Sequence, residues 1–280
     1  MDLLLQQRLL DHLEQIVGDR NPYFASARHF FVQQYIQQEF ARWGVVEAHI
    51  FEYQGRQHTN WMLNLPGQDP QRPPMLVGAH YDSVLGSPGA DDNATGVAVL
   101  LELARAFAHQ PGLSPVRLVA FDLEESGLVG SRRYAEELHQ NGDALGLMIS
   151  LEMLGYCCQQ SHSQRYPPGL KYLYPNQGNY IAQIGPWQSI PTMARLWWSF
   201  RFAGLRSKWL PVVNQGRRLP DTRRSDHVPF WDLGYPAILL TDTADLRNPH
   251  YHQPTDTIET LDLTFLTRVC EGLIDGLRRL

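Results

Sequence analysis

The sequence predicts an α/β fold, a three-layer sandwich whose mixed, mostly parallel central sheet carries helices on both faces. Two observations lead there. From about residue 75 onward, short apolar runs alternate with amphipathic helical stretches, the pattern of parallel strands joined by helical crossovers. The main polar clusters fall where the apolar runs end, the edge at which open α/β sheets bind ligands. With 280 residues, 43% of them hydrophobic, the chain can bury a full core. No linker interrupts the pattern, so 1–280 reads as one domain.

The elements follow in order. In MDLLLQQRLLDHLEQIV the apolar residues are interrupted by Asp2, Gln6, Gln7, Arg8, Asp11 and His12, which fits an amphipathic helix of a soluble protein and neither a signal peptide nor a membrane span. A second helix is expected over Phe24 to Trp43, where Phe30, Phe31, Tyr35, Ile36, Phe40 and Trp43 recur at helical spacing and Gly44 follows as a stop. The N-terminal helices thus occupy about 1–44. Glu47 to Tyr53, Thr59 to Leu65 and Met75 to Ala79 read as strands, the first two as a hairpin around Gly55.

Then come a helix at about 93–109, a strand at about 116–122, a helix at about 131–139 and a strand at about 145–152. SIPTMARLWWSFRF is a further helix whose Trp197, Trp198 and Phe200 suit a core. A strand at Ala237 to Thr241 and a helix from about Leu261 to Leu280 complete the layout. Two stretches break the alternation, 155–185 and 204–225, and read as long loops, functional covers or disordered excursions. In the first, Tyr166, Tyr172, Tyr174 and Tyr180 either shape a specificity rim or pack the loop. In the second, Arg217, Arg218, Arg223 and Arg224 suit a solvated surface.

Composition narrows the function. The formal charge of -5 arises from 29 acidic and 24 basic side chains with no basic stripe, so nucleic acid is not an expected partner. Three cysteines, Cys157, Cys158 and Cys270, cannot make a disulfide framework, which points to reduced thiols and the cytoplasm.

Polar clusters stand at the strand ends: His80 and Asp82 in GAHYDS, Glu124 and Glu125 in DLEESG, Glu152 in SLEML, and the segment Asp242 to His252. GADDNATG adds Asp91 and Asp92 ahead of a helix, where one can cap the helix and the other bind metal. Two histidines with several carboxylates are a ligand set for zinc, and no Cys-x-x-Cys argues for a structural thiolate site. If Asp92 bridges two ions, His80 and Glu152 complete one and Glu125 and His252 the other. Glu124 is then the general base, taking a proton from water, and Asp82 orients His80 by accepting its second ring N–H.

GAHYDSV, GADDNATG, EESGLVGS, SLEMLGY and NPHYHQPTDT resemble, in order, the site segments of the zinc aminopeptidases of the bacterial leucyl aminopeptidase type. That family, peptidase family M28, also includes glutamate carboxypeptidase and glutaminyl cyclase. The resemblance runs from about residue 75 to 260. It implies His80, Asp92, Glu125, Glu152 and His252 as ligands of two zinc ions, with Glu124 as base. This chain departs from the pattern in offering Glu152 where Asp is often found. The resemblance also selects His252 over His250. RSDHVPFWDLGYPA looks family-like as well, so Asp226 and His227, with Tyr251, are expected to line the pocket or support it; capping the turn before Pro229 is the alternative for Asp226 and His227. The implied activity is an aminopeptidase acting on a peptide or aminoacyl substrate. Its rivals are a single-zinc glutaminyl cyclase and a catalytically inactive binding module. Tyr251, where cyclases tend to carry Trp, favours hydrolysis.

Overall fold

A computed structural model describes residues 2–280. Helices α1 (Leu3–Ile16) and α2 (Ser26–Ala41) precede an antiparallel hairpin of β1 (Val46–Tyr53) and β2 (Arg56–Leu65). The α/β part runs β3 (Met75–His80), α3 (Gly96–His109), β4 (Val116–Phe121), α4 (Val129–Asn141) and β5 (Leu147–Glu152). It continues with β6 (Ile181–Pro186), α5 (Ile190–Phe202), β7 (Ser207–Val212), α6 (His227–Asp232), β8 (Ala237–Thr241) and α7 (Leu263–Arg278). All eight strands form one sheet, ordered β1-β2-β4-β3-β5-β8-β6-β7. The centre, β4-β3-β5-β8, is parallel, and β2 and β6 join it antiparallel on either side.

Period-two alternation sorts the sheet's side chains into two cores. Val77, Ala79, Leu118, Ala120, Ile149, Leu151, Ile238 and Leu240 pack on one face with residues of α1, α2, α3, α5 and α7. Leu76, Val119, Phe121, Met148, Ala237 and Leu239 pack on the other with α4 and α6. The central strands are buried along nearly their whole length, as expected for a parallel sheet covered on both sides. No described helix is long and apolar enough to cross a membrane.

Two expectations are corrected. The stretches 155–185 and 204–225 are not wholly irregular, since they contribute β6 and β7, which pair in parallel and extend the sheet beyond β8. β6 ends at Pro186 and β7 holds Pro211. Proline signals a break, although an edge strand accommodates one because its outward N–H has no partner to lose. The second correction concerns the helix expected from residue 93. Asp92 and Asn93 are non-helical, and regular α-helix begins at Gly96.

Candidate metal centre

The carboxyl ends of β3, β4 and β5 bring His80, Glu124, Glu125 and Glu152 to one edge of the sheet, and the turns before α3 and after β8 bring Asp92 and His252 to them. Asp92 lies at the centre. Its Oδ1 is 3.3 Å from His80 Nε2, and its Oδ2 is 3.1 Å from His252 Nε2. Glu152 Oε1 stands 3.6 Å from the same His80 nitrogen, while Glu125 Oε2 stands 3.3 Å from His252 Nε2. Donor atoms of His80, Asp92 and Glu152, and of Asp92, Glu125 and His252, therefore form two groups within 4.8 Å that share Asp92. A third such group, His80, Glu124 and Glu125, overlaps both.

These residues fit a cation. His80 is buried, and neither ring nitrogen makes a hydrogen bond; Glu125 Oε1 is likewise buried without one. Buried polar atoms otherwise find partners, and two orphan imidazole nitrogens among carboxylates make a donor set suited to zinc. The electrostatics agree. Burial alone would lower the His80 pKa, yet the surrounding carboxylates raise it well above the ordinary value. Burial also opposes protonation of His252, and Asp92 and Glu125 carry it to about 10. Asp92 sits below the usual carboxylate range because the two histidines outweigh its burial. Burial, with Asp92 beside it, pushes Glu125 up to about 7. The cluster is built to hold positive charge between acidic side chains.

Glu124 is buried beside this cluster, and its carboxyl is driven well above the usual range, first by burial and then by Glu152, Glu125 and Asp226 against the pull of His80. Asp82 fixes the turn that carries both glutamates: its Oδ1 accepts the Glu124 N–H at 3.1 Å and its Oδ2 the Glu125 N–H at 3.2 Å. Asp82 Oδ1 also lies 3.3 Å from His80 Nδ1. Its part is thus broader than the orienting of His80 expected from sequence.

The remaining expectations divide. Tyr251 stacks on the His252 ring, centroids 3.7 Å apart, and its hydroxyl accepts from Arg224 at 3.0 Å. Asp226 is buried close enough to the cluster to feel His80, Glu152 and Asp82, and burial raises its pKa to about 7. His227 is fully buried, donates Nε2–H to the Thr222 carbonyl at 2.9 Å and packs on Trp231, and it belongs to none of the three donor groups. Burial holds its pKa down at about 3. His250 bonds Thr255 Oγ1 through Nδ1. The capping role weighed for Asp91 fails. Its carboxylate accepts from the Gly155 N–H, Thr95 Oγ1 and Asn248 Nδ2, and Asn93 Oδ1 takes the Gly96 N–H at the head of α3.

Several contributors escaped the sequence. Ser225 Oγ donates to Glu152 Oε2 at 2.6 Å and lies 2.8 Å from Ser150 Oγ, steadying the Glu152 carboxylate while Oε1 faces His80. Asp256 accepts the Asp91 and Asp92 N–H groups at 2.9 and 3.1 Å. Its place in NPHYHQPTDT was the available signal, as the place of Ser225 in RSDHVPFWDLGYPA was for that residue.

A mixed α/β sheet that gathers two histidines and four carboxylates at its carboxyl edge defines a protein with a candidate zinc site. The chain belongs to Peptidase family M28, whose model matches residues 60–191 and 205–275. It is 39% identical over 218 residues to the uncharacterized protein YfbL of Escherichia coli (strain K12), covering 72% of this chain and 65% of that one. It is 34% identical over 190 residues to Aminopeptidase YwaD of Bacillus subtilis (strain 168), covering 66% of this chain and 36% of that one. The chain thus spans between about a third and two thirds of the length of these curated relatives. It shares its fold with the glutaminyl cyclase of Porphyromonas gingivalis, with a TM-score of 0.71, 20% identity, and coverage of 98% of this chain and 96% of that one.

Proposed function

We propose that the chain is a zinc aminopeptidase that holds two ions through His80, Asp92, Glu125, Glu152 and His252 and uses Glu124 as general base. One observation carries this reading: the two oxygens of Asp92 face two different histidines, each flanked by its own glutamate. Zinc, when bound, supplies Lewis acidity to the scissile carbonyl and to the attacking water. Glu124, buried beside the donor cluster, takes the proton from that water and delivers it to the leaving amine. Asp82 keeps the Glu124 carboxylate aimed by holding its main chain.

A cavity of about 110 Å³ opens beside Glu152 and Tyr251, room for several waters and hence for one large side chain. Tyr166, Tyr180, Trp209 and Leu210 help to wall it. The Tyr166 and Tyr180 hydroxyls bond each other, and Tyr174 donates to the Trp209 carbonyl, so these rings offer the cavity mainly apolar surface. This supports peptides that begin with a large apolar residue. A single-zinc cyclase reading leaves one of the two donor pairs, His80 with Glu152 or Glu125 with His252, unexplained, and the tied-off tyrosines are poor partners for a glutamine amide.

The deciding experiment loads the protein with zinc and offers aminoacyl nitroanilides of Phe, Leu, Ala, Lys and Glu beside glutaminyl peptides. The expected outcome is release of Phe and Leu ahead of the others. Glu124→Gln is expected to lower kcat by about 10²–10⁴-fold at unchanged zinc content. Cyclisation without hydrolysis, or full activity in the zinc-loaded variant, overturns the reading.

A further inference from the structure

The segment between α1 and α2 lies outside the stretches that the family model matches, yet it reaches the back of the metal centre. Arg20 in this segment is fully buried. Its guanidinium makes five hydrogen bonds, all to main-chain carbonyls: Nε to Tyr81 at 2.8 Å, Nη1 to Gly18 at 3.3 Å and Pro88 at 2.7 Å, and Nη2 to Gly89 at 2.8 Å and Asp92 at 3.2 Å. An arginine side chain has five N–H donors, so none is left over. Two of the acceptors bear directly on the cluster. The Tyr81 carbonyl belongs to the residue after His80, and the Asp92 carbonyl is the main-chain group of the residue that bears the shared carboxylate. The main chain around Arg20 adds to the clamp, since its N–H donates to Ser83 Oγ at 3.1 Å and the Gly18 N–H to the Pro88 carbonyl at 2.9 Å.

We propose that Arg20 is the positioning residue that fixes the spacing of His80 and Asp92 and thereby sets zinc affinity on both sides of the shared carboxylate. A buried cation bonded only to carbonyls is costly unless something offsets its charge, and the charges acting on it are Asp92, Asp256, Asp82 and Glu125. Its fork spans three chain segments at once, which the single ammonium of lysine cannot do. Gly89 leaves the room for it, because a Cβ there would come within 2.9 Å of both terminal nitrogens.

The inference rests on the zinc reading above, and the test separates the two. Zinc binding to the whole chain is measured by competition with a chromophoric chelator, alongside the melting temperature of the zinc-free protein. Arg20→Lys keeps the charge and loses the fork. It is expected to bind zinc about 10–100-fold more weakly, as loss of an outer partner of a metal ligand typically does, with kcat/KM recovering as zinc is raised. Wild-type zinc affinity and stoichiometry in a variant whose zinc-free form merely melts earlier overturns the proposal, for Arg20 then only braces the fold. Should Arg20→Lys not fold, Ser83→Ala removes the acceptor of the Arg20 N–H together with the hydroxyl's bond to the Ser87 carbonyl: a smaller loss of zinc affinity supports the proposal, and an unchanged affinity overturns it. A wild-type protein that takes up no zinc instead sinks the zinc reading itself.

Discussion

His80 and His252 meet the same carboxylate from opposite surroundings. His80 ends a central parallel strand, and its side chain is 1% exposed; His252 sits in an irregular segment after β8, with a φ of 58° and a side chain 34% exposed. The glutamate beside His80 is steadied by Ser225, whereas Glu125 Oε1 has no hydrogen bond at all. Half of the centre is therefore rooted in the sheet. The other half depends on loops and faces water. A site held by strand ends is pre-organised by packing, while loop-borne ligands must be ordered as the ion binds.

The largest effects should separate the halves outright. His80→Ala is expected to weaken zinc binding by more than the roughly 100-fold that an outer-partner change can cost, while His252→Ala leaves one ion held by His80, Asp92 and Glu152. Metal analysis after gel filtration checks this, and equal losses in both variants would erase the distinction.

Acidity should weaken the exposed half next. With His252 titrating near 10 and Glu125 near 7 in the zinc-free protein, one proton must leave for zinc to bind above about pH 7, and two below it. Affinity there should rise with pH, about tenfold per unit above neutrality and more steeply below it. Zinc titrations of His80→Ala at several pH values report it, and a flat profile would show that the two groups do not hold those protons.

The mildest change is Ser225→Ala, which frees Glu152 Oε2. It should cost about tenfold in zinc affinity on the His80 side and nothing on the other. Competition titration of this variant in the His252→Ala background isolates that side.

What the sequence determined by itself was local. The apolar runs of β3, β4, β5 and β8 announce buried parallel strands because both faces of each are covered. The acidic and histidine clusters at their ends follow from that pattern, and their identity with the family's motifs from the order of five segments. What only the tertiary structure decided was non-local. Whether β6 and β7 are strands depends on β6 pairing with β8 and β7 with β6, which their prolines obscure. That Asp92 turns one oxygen to each histidine, that Ser225 meets Glu152, and that His227 spends Nε2 on the Thr222 carbonyl are consequences of how the turns pack. Arg20 is the clearest case. As a letter in GDRNP it is an ordinary surface cation, and burial against five carbonyls, four of them from other parts of the chain, gives it a role at the metal centre.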